Sequence, residues 1–493
     1  MSEYDVVVVG GGNAAFCAAL SAEENGARVL MLEAAPEEDH GGNSRFASGV
    51  LRFAFRGIED IRKLVPELSD AEAAISDFGS YTEEQYLDDM GRVTQYRTDP
   101  DLTETFVRGS YDTLAWMRSK GVRFDPLFRR QAYKIDGRFK FWGGLALESW
   151  GGGPGLVELE LKAAKARDIE IRYSTRAIQL IQQNSRVVGV LVRRAGREEV
   201  INANAIILAC GGFSSNVEMR TKYLGPSWDL AKVRGTKFNN GDGIRMAMDI
   251  GARPYGHWSG CHAVGWDRNA PEFGDLEVGE NFQKHSYPYG IMVNAHGKRF
   301  VDEGADFRNY TYAKYGKAVL DQPGQFAWQI FDAKWTHMLR DEYRIRRVTK
   351  VTANSLEELA NKLDDVDPAG FLAEVKRYNA AVREDIKFDP SIKDGKCTVG
   401  LEIPKSNWAN TISDGPFEAY AITCGITFTF GGIKIDQSAR VINVDGDPIE
   451  GLYCAGEMVG GLFYFNYAGG TGLVSGAVYG RIAGAQAAKY GKG

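Results

Sequence analysis

A glycine-rich turn near the start of the sequence has the spacing that phosphate binding requires. The stretch "YDVVVVGGGNAAFCAAL" places Gly10, Gly12 and Ala15 in a G-x-G-x-x-A pattern between an apolar strand and a helix. The first glycine permits a tight turn, the second lets the backbone approach a pyrophosphate, and the helix N-terminus offers free N–H groups. Glu33 ends the next apolar run, "ARVLMLE", where a carboxylate can bind ribose hydroxyls. The pattern predicts dinucleotide binding, against the alternative of a glycine turn that holds no ligand.

A second stretch concentrates charged side chains beside aromatic rings and an amide: "GKRFVDEGADFRNY", from Gly297 to Tyr310. An acid or base held at such a place can move a proton to or from a substrate. The same residues also suit an ordinary turn in which Arg308 forms an ion pair with Asp306 or Glu303. The choice between these two interpretations depends on what the fold places beside the stretch.

Four later segments return the chain to glycine turns at the ends of predicted strands or helices. They are "GGNSRFASG" (41–49), "AIILACGGF" (205–213), "GLYCAGEMVGG" (451–461) and "NYAGGTGLVSGAVYGRIAG" (466–484). One mononucleotide-binding unit does not need the chain to return to the same sheet so late. A long flavin dinucleotide that lies across both halves of the chain does need it, so the pattern favours FAD over NAD.

These segments, in this order, resemble the flavoproteins of the fumarate reductase/succinate dehydrogenase superfamily over nearly the whole chain. The stretches "FWGG", "GHWSGCHAV", "FVDEGADFRNYTYAKYG" and "ITFTFGG" further resemble the FAD-dependent tricarballylate dehydrogenase subfamily. The resemblance implies an α/β fold, with a Rossmann-like FAD-binding domain of the glutathione-reductase type and an inserted α+β capping domain. The FAD-binding domain would comprise residues 1–254 and 409–493, and the substrate-capping domain residues 255–408.

The resemblance also implies how FAD is held. The turn at 41–44 would cover the flavin, Ala177 would meet the adenine through its backbone, and Glu457 would hold the ribityl chain. Members that bind flavin covalently present a histidine in the segment that here reads "GGNSRF", so we predict non-covalent FAD. The predicted cofactor-binding residues are Gly10, Gly12, Asn13, Ala14, Ala15, Glu33, Ala34, Gly41, Gly42, Asn43, Ser44, Ala177, Gly211, Gly212, Asp242, Gly456, Glu457, Gly470, Thr471, Gly472 and Leu473.

Dehydrogenation of a C–C bond next to a carboxylate needs a hydride acceptor, a base and fixed positive charge. By the resemblance, Arg308 is the proton donor or acceptor, although the family's spacing lands one residue earlier, on Phe307. His262 stands where the family binds a substrate carboxylate. The predicted catalytic residues are Arg308, His262, His285 and Tyr467.

Several departures from the family's pattern predict a larger substrate than fumarate or succinate. The family's proton-delivery residues are replaced by Phe282, Gln283 and Ser286, which leaves His285 or Lys284 as substitutes. A second substrate-binding histidine is replaced by Thr427 or Phe428, and a carboxylate-binding arginine by Tyr467. The pocket would then be lined by Phe428, Tyr464 and Tyr467, with Arg45 as a candidate replacement cation and His257 in the same loop as His262.

Three functions fit these residues. The first is dehydrogenation of a tricarballylate-type polycarboxylate to a cis-aconitate-like alkene. The second is a dehydrogenase or enoyl reductase for a larger carbonyl-activated substrate, cyclic or ketone, with Tyr467 polarising the carbonyl. The third is a flavin-binding electron-transfer subunit without its own turnover, which the presence of Arg308 and His262 disfavours.

The composition argues against other classes of protein. The net charge of −6 lacks the basic footprint of a nucleic-acid-binding protein. The six cysteines are widely spaced without a C-x-x-C pair, so we expect no metal site, and electrons would pass to a separate iron–sulfur or quinone-linked partner. No apolar run reaches membrane-spanning length and no leader precedes the first strand, which predicts a cytoplasmic protein, with peripheral docking to the inner membrane through a partner left open.

Overall fold

The computed structural model describes residues 3–492, which divide into two units. The first unit takes in the chain up to Pro226, then Gly235–Cys261, then the chain from Thr427 onward. The second unit takes in Ser227–Arg234 and His262–Ile426. The predicted limits for the capping domain were 255–408, and its assignment to substrate binding stays a prediction.

The α-helices of the described chain vary in length from 3 to 22 residues. They are α1 (Asn13–Glu24), α2 (Ile58–Leu64), α3 (Asp70–Ala74), α4 (Glu83–Val93), α5 (Pro100–Ser119), α6 (Phe128–Gln131), α7 (Gly152–Lys165), α8 (Val217–Met219), α9 (Asp242–Asp249), α10 (Tyr312–Leu320), α11 (Leu356–Lys362), α12 (Pro368–Ala381) and α13 (Thr471–Lys492).

The strands are β1 (Tyr4–Val9), β2 (Val29–Leu32), β3 (Val50–Leu51), β4 (Ser76–Asp77), β5 (Phe124–Pro126), β6 (Ala132–Ile135), β7 (Arg138–Phe141), β8 (Leu147–Ser149), β9 (Glu170–Arg172), β10 (Thr175–Gln183), β11 (Arg186–Arg194), β12 (Arg197–Leu208), β13 (Lys232–Val233), β14 (Pro254–Asp267), β15 (Ile291–Val293), β16 (Phe326–Phe331), β17 (Lys350–Ala353), β18 (Phe417–Ile433), β19 (Arg440–Ile442) and β20 (Pro448–Cys454).

The sheet of the first unit has a parallel centre, in the order β9-β2-β1-β12-β20. β2 is apolar throughout and β1 is apolar from Val6 to Val9, as strands covered on both faces must be, and Val6, Val7 and Val8 are fully buried. The predicted strand–turn–helix–strand unit is confirmed as β1, α1 and β2. Because parallel strands end at one edge of a sheet, the turns after β1, β2, β12 and β20 meet at the same edge.

Local sequence signals set the starts of several helices in the first unit. Ser69 and Thr82 begin α3 and α4 with complete capping boxes, closed by Glu72 and Gln85. Asp99 accepts a hydrogen bond from the backbone N–H of Leu102 at the start of α5, and Pro100 is the first helical residue.

The second unit is built around a sheet in which β18 pairs with β13, β16 and β17, and β16 also pairs with β15. The helices α11 and α12 supply Leu359, Phe371, Val375 and Tyr378 to the same buried apolar cluster as strand residue Trp328. A break separates the two helices, and Pro368 is the first residue of α12, where proline is well tolerated. The fold is the mixed α/β type predicted. Among residues 3–492, no helix is both long enough and apolar enough to cross a bilayer.

Candidate active site

The turn between β1 and α1 is shaped so that only glycine fits its first position. Gly10 has φ +127°, and a Cβ there would lie 2.2 Å from the carbonyl oxygen of Ala209. Gly12 begins α1 and faces the 41–44 turn, because the N–H of Asn13 donates to Ser44 Oγ at 3.1 Å. The following residues Ala14 and Ala15 are buried in α1. The helix N-terminus and the 41–44 turn are therefore neighbours.

Glu33 lies directly beneath this turn, at the end of β2. Its carboxylate approaches the backbone so closely that a Cβ on Gly11 would stand 2.3 Å from Glu33 Oε2. The N–H of Ala35 donates to Glu33 Oε1 at 2.8 Å, and Ala34 lies between them. Burial raises the pKa of Glu33 to about 7. A buried carboxylate in a cradle that side chains would fill suits the ribose hydroxyls of a dinucleotide.

A second acid, Glu457, is held under the glycine turn that follows β12. A Cβ on Gly212 would lie 2.3 Å from Glu457 Oε1, and one on Gly211 would lie 2.3 Å from the side-chain oxygen of Asn239. Asn239 and the N–H of Thr429 donate to the carboxylate of Glu457 at 2.9–3.2 Å. Loss of hydration raises the pKa of Glu457 above its usual range.

Two further predicted residues lie at this carboxylate. The side-chain amide of Asn43 is 3.4 Å from Glu457 Oε2 and donates to the carbonyl of Thr427 at 3.1 Å. A Cβ on Gly456 would be 2.9 Å from the side chain of Ala14. The turns at 41–44, 211–212 and 456–457 therefore gather at the N-terminus of α1.

The start of α13 completes this set of turns. Asn13 Nδ2 donates to the carbonyl of Leu473 at 2.8 Å, and the N–H of Gly472 donates to Tyr467 Oη at 2.8 Å. Gly470 has φ +84°, and its carbonyl accepts from the N–H of the fully buried Arg52 at 3.0 Å. Thr471 accepts from Tyr86 Oη at 3.2 Å.

Ala177 and Asp242 lie on elements that begin beside the predicted FAD-binding turns, since the N–H of Thr175 donates to the carbonyl of Glu33 and the N–H of Gly241 to that of Gly212. Ala177 is buried in β10, and its neighbour Arg176 forms two hydrogen bonds of 2.7 Å with Asp242, the first residue of α9. The structure thus brings this predicted pair together through an arginine that the sequence did not single out. Their contact with adenine stays a prediction.

The residues present fit FAD. Glycine turns and two buried carboxylates surround the N-terminus of α1, and side chains at Gly11 or Gly212 would fill the space that a bound dinucleotide needs. The predicted set has the chemistry of the group: N–H donors for phosphates, and acids for ribose and ribityl hydroxyls.

The charged stretch of the second unit is fixed by a buried ion pair. Arg299 and Glu303, both inaccessible to solvent, pair side by side, and Arg299 also donates to the carbonyls of Ile403 and Pro404. Glu303 further accepts from the N–H of Met292 at 2.8 Å. The Glu303 carboxylate is therefore paired with Arg299.

Arg308 begins a single 3₁₀ turn, Arg308–Tyr310, immediately before α10. Its carbonyl accepts from the N–H of Thr311 at 3.1 Å, and Thr311 Oγ1 lies 2.6 Å from the hydroxyl of Tyr287. Asp306, two residues earlier, lies 3.7 Å from the ammonium of Lys393. The Tyr287–Thr311 hydrogen bond fixes the backbone that carries Arg308.

The predicted histidines of the second unit flank one tyrosine ring. The rings of His262 and His285 each meet the ring of Tyr312 edge-on at 4.9 Å, and both histidines are buried. Burial and then Arg234 hold the pKa of His262 well below its usual range. Burial, then Arg308 and other arginines, do the same to the pKa of His285. Both imidazoles are therefore neutral at pH 7.

Lys284 has a different environment from its neighbour His285. Its ammonium donates to the backbone carbonyls of Asn281, Phe282 and Gln283 at 3.1–3.2 Å. Burial lowers the pKa of Lys284 to about 8. These three hydrogen bonds close the short turn before Lys284 and indicate a structural role for its ammonium.

Tyr467 belongs to an aromatic cluster in the first unit. Its ring meets those of Phe428 and Phe463 edge-on at 5.2 Å. His257 stacks on Tyr464 at 5.7 Å and accepts a hydrogen bond from the N–H of Phe465. Arg45 donates to the carbonyls of Glu38 and His40, so its guanidinium holds that loop.

Comparison with known proteins agrees with this arrangement. A family model described as FAD binding domain matches residues 5–473. The chain is 30% identical to the probable fumarate reductase Ifc3 of Shewanella frigidimarina (strain NCIMB 400), over 98% of this chain and 75% of that protein. It is 29% identical to 4-oxocyclohexanecarboxylate 2-dehydrogenase of Sinomonas cyclohexanicum, over 100% of this chain and 95% of that protein. A solved open conformation of a flavocytochrome c3 fumarate reductase superposes with a TM-score of 0.73 and 26% identity, covering 99% of this chain and 78% of that chain.

The chain belongs to the FAD-binding domain family and, within it, to the fumarate reductase flavoproteins. It is an FAD-dependent oxidoreductase that acts on CH–CH groups or the corresponding C=C bonds. The prediction of FAD as cofactor is confirmed, and the assignment to the tricarballylate subfamily stays a proposal.

Sequence reasoning missed several residues at these sites. Arg52 and Asn239 support the glycine turns and acids of the first unit, while Arg234, Tyr312 and Arg340 surround the histidines of the second. Tyr312 lies in the quoted stretch "FVDEGADFRNYTYAKYG", and the other four belong to no local motif. An arginine in an apolar run, as Arg52 in "VLRFAF", was the one available signal, because arginine is rarely buried unless it is paired.

Proposed function

We propose that this enzyme dehydrogenates a tricarballylate-type polycarboxylate at a C–C bond next to a carboxylate. The observation that carries the proposal is the charge around His285. Arg308, Arg234 and Arg340 all act electrostatically on this one buried histidine. Guanidinium groups bind carboxylates through a planar fork of donors, so several of them at one place suit a substrate with several carboxylates.

The proposed proton transfer uses Arg308. FAD, when bound, supplies the acceptor for the hydride that leaves one carbon of the substrate. Arg308 takes the proton from the neighbouring carbon, and a C=C bond forms between the two; in the reverse direction Arg308 gives the proton. Arginine is a poor base by its ordinary pKa, so the proposal requires that Arg308 pack among cations and carboxylates that share its proton.

The neutral histidines have a different part in the proposal. His262 would donate an N–H to a substrate carboxylate, which neutral imidazole does without itself changing charge. Arg308 would then take the substrate proton, while His262 keeps its own ring proton in the hydrogen bond to the carboxylate. Electrons would leave to a separate iron–sulfur or quinone-linked acceptor.

The experiment is anaerobic reduction of the enzyme-bound FAD by tricarballylate, followed in a stopped-flow instrument. We expect Arg308→Lys and Arg308→Ala to keep FAD but to lower the rate of flavin reduction by about 10²–10⁴-fold. Lysine should not rescue the rate, since a compact ammonium cannot reproduce the planar fork. Arg346→Gln, a change at an exposed arginine of the same unit, is the control. A near wild-type rate in Arg308→Ala would move the base to His285 or Tyr467.

A second candidate is a larger carbonyl-activated substrate, and Tyr467 favours it. Its phenolic oxygen accepts the N–H of Gly472 at the start of α13, which makes the hydroxyl proton a better donor to a substrate carbonyl. The relative named 4-oxocyclohexanecarboxylate 2-dehydrogenase carries both a ketone and a carboxylate in its substrate's name. If a cyclic keto acid bleaches the flavin and tricarballylate does not, this second function replaces the first.

A further inference from the structure

The segment after β16 carries an arginine to the predicted catalytic histidine of the second unit. The N–H of Arg340 donates to Ser286 Oγ at 3.3 Å, and the N–H of Ser286 donates to Tyr343 Oη at 2.8 Å. These two hydrogen bonds hold residues 340–343 next to Ser286. Ser286 directly follows His285, which lies more than fifty positions earlier in the chain. Arg340 and Arg308 both act electrostatically on His285 and on Tyr287.

A second arginine reaches the same histidine from the residue after β13. Arg234 is held by its N–H, which donates to the carbonyl of Ile426 at 2.8 Å. Its guanidinium pairs with the carboxylate of Glu280 at 3.1 Å, and both side chains are 7% exposed. The Nε of Arg234 is buried, and in the described structure no protein atom accepts its proton.

His285 itself has a buried nitrogen that the protein does not satisfy. The residue is 2% exposed, and its Nε2 makes no hydrogen bond in the described part of the chain. An unsatisfied buried polar atom is costly, and buried polar groups are normally paired. The Nε–H of Arg234 is a donor, and Nε2 of His285 is one in the tautomer that carries its proton there, so both can bind an acceptor on a ligand.

We propose that Arg234, His285 and Arg340 form an anion subsite that binds one additional carboxylate of the substrate, so that the enzyme prefers three carboxylates over two. The inference rests on the proposed function and names the feature of the substrate that this subsite selects. The subsite is separate in role from Arg308, because it binds the central carboxylate and moves no proton. Glu280 balances part of the charge of Arg234, which leaves the guanidinium in place before substrate arrives.

The test uses two probes that differ only in the central carboxylate: tricarballylate and glutarate, on the same three-carbon chain. Holoenzyme reduced anaerobically with dithionite cannot oxidise either probe, so isothermal titration calorimetry reports binding alone. We expect the wild type to bind tricarballylate at least about tenfold more tightly than glutarate. Arg340→Gln should weaken tricarballylate about ten- to a hundredfold and leave glutarate within about twofold.

Two further variants make the result specific. Arg346→Gln, an exposed change six residues along the same segment, should leave both affinities unchanged. Arg234→Lys keeps a positive charge beside Glu280 and should fold, which a thermal melt checks, yet it should still weaken tricarballylate more than glutarate because an ammonium lacks the fork.

Three outcomes would overturn the proposal. Equal losses for both probes in Arg340→Gln would show a general charge effect, and no loss would remove Arg340 from the subsite; either result leaves the proposed reaction standing. A wild-type enzyme that does not distinguish the two probes overturns this inference together with the tricarballylate proposal.

Discussion

Among the predicted cofactor-binding residues, we expect the protonation of Glu33 to affect the affinity for FAD most directly. Burial raises its pKa to about 7, and only the carboxylate form accepts hydrogen bonds from both ribose hydroxyls. Below this pKa the FAD-free protein must release a proton to bind, so the affinity for FAD should rise as pH increases from about 6 to about 8. Quenching of FAD fluorescence by the apoprotein measures the affinity.

Two variants test this pH dependence. Glu33→Gln should bind FAD about tenfold or more weakly and with a flat profile over the same range, because nothing titrates there. Glu37→Gln is the matched control, since Glu37 is exposed and its nearest cation, Lys165, is 3.5 Å away. A flat profile in the wild type would show that Glu33 is already ionised in the FAD-free protein.

At the scale of elements, the segment between β15 and α10 depends on one arginine. Arg299 reaches Glu303, Ile403 and Pro404, and the carboxylate of Glu303 has no access to water. Arg299→Gln would leave that charge buried without its partner, which costs about 3–5 kcal/mol. We expect a clear fall in the urea midpoint and in the melting temperature, with loss of activity secondary to loss of folded protein.

The control for this change is Lys317→Gln on α10. Lys317 also pairs with a carboxylate, Asp321, but the two side chains are 57% and 56% exposed, so the pair should contribute only about 0–1 kcal/mol. Equal stability of Arg299→Gln and the wild type would mean that the segment is held by its backbone contacts alone.

The same segment shows what the sequence can and cannot predict about elements. The β1–α1–β2 unit was predictable because its apolar run, its glycines and its acid are adjacent in sequence and follow a fixed spacing. The charged stretch was ambiguous because its partners lie elsewhere. Glu303 bonds to Met292, and Arg299 to residues a hundred positions later. No local pattern shows such partners.

At the scale of the whole molecule, residues that are far apart in the sequence meet at the same carboxylate. Glu457 is bound by Asn239, more than two hundred positions earlier, and approached by Asn43, more than four hundred positions earlier. Glu457 and Asn43 were predicted because a known family carries them as motifs, whereas Asn239 was not predicted. Arg234, Tyr312 and Arg340 were not, since their meeting with His285 depends on how β13, α10 and the segment after β16 fold around it.

The histidines of the first unit bear on how FAD is attached. This unit contains His40 and His257, and the protein holds both rings. His40 Nδ1 contacts the carbonyl of Glu37 and its ring meets Tyr173 edge-on, while His257 stacks on Tyr464 and accepts the N–H of Phe465. Neither lies within the 41–44 turn. We therefore expect acid precipitation of the purified protein to leave FAD in the supernatant, where its fluorescence is measured.

His40 is the residue that would contradict this prediction, because it directly precedes the turn. A yellow pellet from the wild type, together with release of FAD from His40→Ala, would identify His40 as the point of attachment. Equal release from both proteins would support FAD held only by the non-covalent contacts of its binding residues. His257→Ala serves as the matched control, since its ring lies in the same unit but far along the chain from the 41–44 turn.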